Sequence, residues 1–287
     1  MTIGITGASG PFGRTTAEFV LQRVDPREVM LATRTPAALA DLAARGAQVR
    51  RADFDAPGSL AAALKGVDRL LLVSTDKVGA RLERHRAAVA AAKEAGVAHV
   101  VYTSVPEPLP GNPALVVDDH AGTEQALRHS GLRWTMLRNN LYAHLQLGAV
   151  ENAAATGRLV TNHGPGAAAY VTREDCAAVA AAVLTKDGYE DQVLDVTGPA
   201  AITSRDLAAL AQELGDRDVE VVEVDDQTLA GALRAAGLNE PAAELVTSFG
   251  AATRGGYLDH VSDAVSTLTG RTPTPFAEVV RQALGAR

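Results

Sequence analysis

Thr2-Ile3-Gly4-Ile5-Thr6-Gly7-Ala8-Ser9-Gly10-Pro11-Phe12-Gly13 stands at the start of the chain. The apolar, β-rich run Thr2–Thr6 leads straight into Gly-x-x-Gly-x-x-Gly, and Phe12–Arg23 then has the composition of a helix. In a strand–glycine turn–helix unit each glycine has a task. The first permits a tight bend, the second lets the main chain approach a pyrophosphate, and the third lets the helix pack closely on the strand. The helix start adds unsatisfied N–H groups and the positive end of its dipole. The spacing differs from Gly-x-Gly-x-x-Gly, so it is not that fingerprint. Gly7, Ser9, Gly10, Pro11, Phe12 and Gly13 are therefore expected to line a dinucleotide phosphate site, against the alternative of a plain strand–helix turn.

Working outward, short β-like runs alternate with Ala-rich helical ones. Strands are expected at Val29–Thr33, Gln48–Arg51, Arg69–Ser74, His99–Ser104 and Arg133–Leu137, and helices at Ala37–Ala44, Pro57–Leu64, Leu82–Ala95 and Val117–His129. Glycine stops follow several helices, at Gly46, Gly66 and Gly96. Alternation of this kind implies βαβ units, and the unbroken apolar run Leu70–Val73 suits a strand covered on both faces. The fold class is α/β: a Rossmann-type doubly wound parallel sheet with a smaller α+β C-terminal lobe. The expected division is residues 1–150 for the nucleotide-binding domain and 151–287 for a mostly helical substrate lobe. A strand near 192–197 is expected to return to the sheet. Glu151–Arg158 and Thr172–Leu184 read as helices, Asn162–Ala169 as a Gly/Ala loop, and Val219–Val224 as a strand.

The 287 residues are 47% hydrophobic and 21% charged, ordinary for a globular chain, with a net charge of −7 and no basic block. Nucleic acid and anionic membranes are therefore poor expectations as partners. The lone Cys176 excludes an internal disulfide and reads as core. No apolar window is long enough to cross a bilayer and the first residues carry no basic n-region, so the expected location is cytoplasmic. There is no HExxH, no Gly-x-Ser-x-Gly elbow and no P-loop Lys-Ser/Thr, so no metal site is expected. The basic start of the Leu82–Ala95 helix, with Arg81, Arg84, His85 and Arg86, reads as a solvated face.

Arg34 ends the second strand, 21 residues after Gly13. An acidic residue there would favour a ribose 2′-hydroxyl; arginine favours a 2′-phosphate, hence NADP(H) preferred with NAD(H) possible. A solvated strand-end arginine is the alternative. Asp53 and Phe54 follow the third strand and read either as adenine contacts or as a turn residue and a core aromatic. Ser74, Thr103 and Ser104 sit at carboxyl ends of strands, where open α/β sheets bind ligands.

With these motifs in place, the chain resembles the NmrA-like, atypical branch of the short-chain dehydrogenases/reductases, and within it the type 2 NAD(P)H:quinone oxidoreductases and triphenylmethane reductases. The resemblance rests on Thr6–Gly13, Arg34, Arg51–Phe54, Tyr102-Thr103-Ser104, Asp119-His120 with Thr123-Glu124, Leu137–Tyr142 and Thr269–Pro273. It implies a bound NADP(H) and hydride transfer to quinones or aromatic dyes. The family also contains redox sensors that dock a protein partner. By the same resemblance His120 and Glu124 stand where a Tyr–Lys pair would be, Asn139 lies near the cofactor, and Tyr142 lines the substrate pocket.

No tyrosine of this chain has a lysine four residues on. A Tyr–Lys acid is therefore missing, which disfavours simple alcohol chemistry. Quinones and extended aromatics need less help, because they accept hydride readily and delocalise the resulting charge. His120 is the candidate assisting proton donor, with Glu124 one helical turn away to orient it; a surface or capping histidine is the alternative. Ser104 and Tyr142 complete the expected catalytic set. Asn162–Gly166, Tyr170, Phe249 and Gly255–Tyr257 are candidates to cover the pocket. The leading reading is a reductase of a small aromatic substrate, monomeric or homodimeric. A tailoring enzyme of aromatic polyketide biosynthesis and a non-catalytic NAD(P) sensor are the alternatives.

Overall fold

The computed structural model describes residues 1–75 and 79–285. The first half of the chain runs β1 (Ile3–Ile5), α1 (Pro11–Leu21), β2 (Val29–Thr33), α2 (Ala40–Ala44), β3 (Gln48–Arg51), α3 (Pro57–Leu64), β4 (Arg69–Leu72), α4 (Arg81–Glu94), β5 (His99–Ser104), α5 (Val117–Arg128) and β6 (Arg133–Asn139). The second half runs α6 (Leu147–Thr156), β7 (Arg158–Thr161), β8 (Ala167–Ala168), α7 (Arg173–Thr185), β9 (Gln192–Val196), β10 (Ile202–Thr203), α8 (Ser204–Gly215), β11 (Glu220–Glu223), α9 (Asp226–Ala235), α10 (Glu240–Arg254), α11 (Ala264–Thr269) and α12 (Phe276–Leu284). Seven strands form one parallel sheet in the order β3-β2-β1-β4-β5-β6-β9. The order reverses between β1 and β4, and an open α/β sheet opens its ligand crevice at that point, beyond the carboxyl ends of the strands.

The Leu70-Leu71-Leu72 run shows why the sheet is apolar on both sides. Leu71 faces α1 and α7 with Ile3, Ile5, Leu31 and Val101. Leu70 and Leu72 face α3, α4 and α5 with Met30, Val100, Tyr102 and Met136. Successive side chains of a strand alternate faces, so both neighbours of Leu71 go to the opposite layer. Each fully buried leucine contributes about 1.5–3 kcal/mol. The fully buried Cys176 lies in the α1/α7 layer, and burial pushes its thiol far up, as expected of a core residue.

Past residue 150 the chain crosses back and forth. α7, β9 and α11 pack in the sheet unit, and β9 pairs Met136 with Val193 and Leu137 with Leu194. The remaining elements build a second core around Val150, Leu159, Leu207, Leu258 and Phe276. Three local expectations need correction. The helix expected at Glu151–Arg158 is α6, which stops at Gly157 in the left-handed region (φ 74°), so Arg158 opens β7 instead. β7 pairs with β11, and β8, within the expected Gly/Ala loop, pairs with β10. Ala37–Ala44 divides into a 3₁₀ turn at Pro36–Leu39 and α2. Among the described residues, no helix is long and apolar enough to cross a membrane.

Candidate active site

The glycine turn sits at the reversal point of the sheet. Gly7 takes φ 60°, a left-handed bend that glycine adopts without a Cβ penalty. Its carbonyl accepts the Gly10 N–H at 2.9 Å, folding the turn onto itself. A Cβ at Gly13 would strike the Gly7 carbonyl oxygen and come within 2.9 Å of the Ala8 Cα, so the α1–β1 approach depends on that glycine. Gly10 caps α1 without a side-chain hydrogen bond, and Pro11 follows it. The first-turn amides of α1 have no partner within their own helix, so they are available to an anion. Ser9 Oγ meets Thr33 Oγ1 at 2.8 Å and ties the turn to the end of β2.

A cleft of about 530 Å³ lies over this turn. The structure brings Gly7, Ser9, Gly10, Pro11, Phe12, Gly13, Arg34, Asp53, Phe54, Ser74 and Thr103 to its walls, together with Tyr142. Among the lining residues not anticipated from the sequence are Thr75, Arg84 and Arg173. Arg84 donates to Asp55 at 2.6 Å. Arg173, at the start of α7, bonds His144 at 2.8 Å and lies 5.4 Å from the Tyr142 ring centre. The only sequence signal for Arg173 is the Thr172 cap before it.

A second cavity of about 210 Å³ adjoins the first, sharing Ser74, Thr103 and Tyr142 with it. Its walls are largely apolar, including Val105, Val116, Leu141, Leu145, Leu245 and Phe249. Ser104, His120 and Asn139 lie here rather than in the first cleft. Asn139 lies beside the Tyr142 hydroxyl, yet neither its amide nitrogen nor its oxygen completes a hydrogen bond among the described residues. A buried amide without partners is costly unless a ligand satisfies it. Burial pushes the Tyr142 phenol far above its ordinary range, so at neutral pH it is a hydroxyl and not a base.

Two expectations about His120 need correction. Glu124 does not orient it. The carboxylate accepts from Ser104 Oγ at 2.7 Å and from Arg138 Nε and Nη2 at 3.0 and 2.9 Å. The α5 face that carries Glu124 is pressed on β5 and β6, and Arg138 there outcompetes an imidazole for a carboxylate. Nor is His120 a surface or capping residue. It is buried, its Nδ1 meets Tyr102 OH at 2.8 Å, and its Nε2 accepts from Arg81 Nη1 at 3.3 Å. Burial, followed by the Arg81 charge, holds its pKa well below the ordinary value. His120 Nε2 thus accepts from Arg81, and burial favours its neutral form. Ser104, having donated its proton to Glu124, presents only lone pairs to the pocket.

The basic start of α4 is solvated at Arg86 but turned inward at Arg81, Arg84 and His85. His85 is fully buried and accepts the Thr75 N–H at 3.1 Å, Arg81 lines the second cavity, and Arg84 lines the first. The cause lies on α5. Asp119 accepts the Gly79 and Leu82 amides at 2.8 and 3.3 Å, which turns the first turn of α4 inward. Of the residues expected to cover the pocket, Phe249 does so. Tyr170 is instead core, packed on Phe276, and Asn162 is spent on Asp226 and Thr247. Tyr257 lines a separate cavity beside Arg138.

A glycine-floored cleft at the reversal of a parallel sheet, opening into an apolar pocket, defines a dinucleotide-dependent oxidoreductase. The glycine cradle, the open helix start and the unsatisfied Asn139 amide all fit such a cofactor. Comparison with known proteins agrees. The model of a family described as NAD(P)H-binding matches residues 7–187. Quinone oxidoreductase 2 of Escherichia coli is 36% identical over 97% of both chains. The structure of the E. coli NADPH-dependent quinone oxidoreductase QOR2 in complex with NADPH superposes with a TM-score of 0.94, at 34% identity over 98% of this chain and 99% of that one. The triphenylmethane reductase of Citrobacter sp. in complex with NADP(H) gives a TM-score of 0.92, at 30% identity over 99% of this chain and 100% of that one. The chain belongs to the NAD(P)H-binding family and is an NAD(P)H-dependent oxidoreductase.

Proposed function

We propose that the protein reduces quinones or related polycyclic aromatic acceptors by direct hydride transfer, with NADPH as the preferred donor and without a Tyr–Lys pair. The observation that carries this reading is the shared wall of the two cavities: Ser74, Thr103 and Tyr142 border both, so two flat ligands meet there. The names of the relatives, quinone oxidoreductase and triphenylmethane reductase, support an aromatic acceptor.

In this reading the Gly7–Gly13 turn and the α1 amides hold the pyrophosphate. Arg34 takes the 2′-phosphate, Asp53 and Phe54 flank the adenine, and the Asn139 amide takes the nicotinamide carboxamide. When bound, the cofactor supplies a hydride. Ser74 and Thr103 keep the floor between the cavities rigid, through the Ser74 N–H to Thr103 Oγ1 bond of 2.8 Å. Tyr142 forms a flat wall and retains its proton. The apolar rim excludes water and presses the two rings together, which is where the protein's contribution to rate lies.

The test is a pair of anaerobic titrations with NADPH and NADH, followed by a quinone panel with the same optical probe. NADPH binding followed by its oxidation supports the reading; binding without turnover on any acceptor overturns it in favour of a sensor. Replacing Arg34 by Asp is expected to weaken NADPH binding at least about tenfold more than NADH binding, since only the former has a 2′-phosphate to lose a charge-assisted contact. Equal losses in the two dissociation constants would remove Arg34 from the 2′-phosphate site.

A further inference from the structure

α7 starts at the same edge of the sheet as α1. It leads into β9, which runs parallel to β6, and its far end lies at the opposite edge. There the Leu184 and Lys186 carbonyls accept from Arg69, at the start of β4, at 3.2 and 2.6 Å. The two helices share one layer, with Phe12, Ala17 and Val20 of α1 in the same core as Cys176, Ala177 and Ala180 of α7. Arg173, the first residue of α7, therefore stands near the start of α1 and lines the cleft of the glycine turn.

Its sideways position is set by main chain. The Val171 N–H donates to the Leu141 carbonyl at 3.0 Å, and the Ala143 N–H donates to the Val171 carbonyl at 2.9 Å. This places Arg173 against Tyr142, with its guanidinium carbon 5.4 Å from the ring centre. Arg173 Nη2 donates to His144 Nε2 at 2.8 Å, and the His144 ring stacks on Tyr142. Burial, followed by the Arg173 charge, lowers the His144 pKa, so the imidazole accepts as a neutral group. The adjacent carboxylates turn to other partners. Glu174 pairs with Arg271 at 3.1 Å, and Asp175 accepts from Thr172 Oγ1 and the Thr274 N–H at 2.7 and 2.9 Å.

Arg34 and Arg84 line the other end of the cleft. Arg34 follows β2, and Arg84 donates to Asp55, just past β3. Tyr142 follows β6, on the far side of the reversal point. A dinucleotide seated on the glycine turn thus has its adenosine towards Arg34 and its nicotinamide half towards Tyr142 and Arg173. We infer that Arg173 is a cofactor ligand whose guanidinium binds the diphosphate from the nicotinamide side, a group that NADPH and NADH share. The α1 amides offer the diphosphate partial charges, and Arg173 adds a full charge and a planar fork of donors that matches phosphate oxygens. The inference rests on the proposed seating of the cofactor on the Gly7–Gly13 turn and not on which acceptor is reduced.

The experiment is calorimetry on the full chain with three ligands: NADPH, NADH and adenosine 2′,5′-bisphosphate. The last keeps the 2′-phosphate and the adenosine-side phosphate but has no nicotinamide-side phosphate. In Arg173→Met the Kd values for NADPH and NADH are expected to rise by the same factor, at least about tenfold, while that for the bisphosphate changes by less than about twofold. Arg173→Lys is expected to recover part of the loss, since an ammonium also binds phosphate. Unchanged binding of NADPH and NADH in Arg173→Met overturns the inference, as does an equal loss for all three ligands, which marks a general disturbance of the cleft. No recovery in Arg173→Lys overturns the role of the charge. Gly13→Ala separates the two levels. If it weakens NADPH binding while Arg173→Met does not, the inference falls and the seating of the cofactor stands; if neither does, both fall.

Discussion

Gly13→Ala is expected to raise the dissociation constant for NADPH by about a hundredfold and to lower the thermal midpoint. The added Cβ meets backbone on every side: the Gly7 carbonyl, the Gly7 carbon at 2.9 Å and the Ala8 Cα at 2.9 Å. Backbone cannot rotate aside as a side-chain tip can, so α1 must lift away from β1. Overpacking of this kind costs about 1–3 kcal/mol, and a hundredfold change in affinity corresponds to about 2.7 kcal/mol. The two effects have one origin, because the Gly7 carbonyl that the methyl strikes also accepts the Gly10 N–H that shapes the turn. Gly7→Ala makes the contrast. Its Cβ makes only ordinary van der Waals contact, with Val73 at 3.5 Å, and meets the strain of φ 60°. That strain is about 1–2 kcal/mol. Fluorescence titration with NADPH and a melting curve on both variants check the order. An unchanged affinity in Gly13→Ala would show that the turn does not shape the cofactor site.

The folded protein is expected to lose stability as pH falls from about 6.5 to 4, well before general acid denaturation. His85 is fully buried against Tyr102 and His99 is buried beside Thr135, with its Nε2 2.8 Å from the threonine oxygen. Burial lowers both from the ordinary value to about 4, with Arg81 adding to the effect at His85 and Arg69 at His99. The sign follows from proton binding. Between about 6.5 and 4 the unfolded chain binds protons at these sites and the folded chain does not, so acid favours unfolding. Above about 6.5 neither state is protonated and the effect vanishes. At 1.36 kcal/mol per pH unit, the two groups together remove about 3–6 kcal/mol by pH 4. Urea midpoints measured from pH 7.5 to 4.5 should therefore slide, and His99→Gln should flatten the slope by removing one titrating group. A midpoint constant over that range would contradict the buried, neutral state of both histidines.

What could be read in advance divides by how the contacts are made. The Gly7–Gly13 turn and the strand ends at Arg34, Asp53, Ser74 and Thr103 were legible because a βα unit places them by local geometry alone. The β9 strand was legible as a strand, since Gln192–Val196 has the right composition. The state of His120 was not. Helical spacing places Glu124 on its side of α5, but the choice between His120 and Arg138 is made by β6, which lies elsewhere in sequence. Arg173 illustrates the same limit: it reaches the cleft only because α7 packs beside α1. Asp119, in the acidic first turn of α5, also accepts the Gly79 and Leu82 amides at the start of α4. Local propensity says where a helix begins; it does not say which neighbouring amides its carboxylates will meet.

The late arrival of β9 has a consequence for synthesis. β6 ends at Asn139, and its outer partner begins only at Gln192. A ribosome adds about 5–20 residues per second, so the nascent sheet exposes the unpaired edge of β6 for roughly 3–10 s. During that interval Trp134 and Met136 sit on a strand whose outer amides and carbonyls are open to any passing chain. The β7 and β8 segments emerge in the meantime, but their own partners, β11 and β10, are later still. The newborn chain is therefore most vulnerable to aggregation midway through translation. A fragment cut after residue 187, where the family match ends, would keep that edge open permanently.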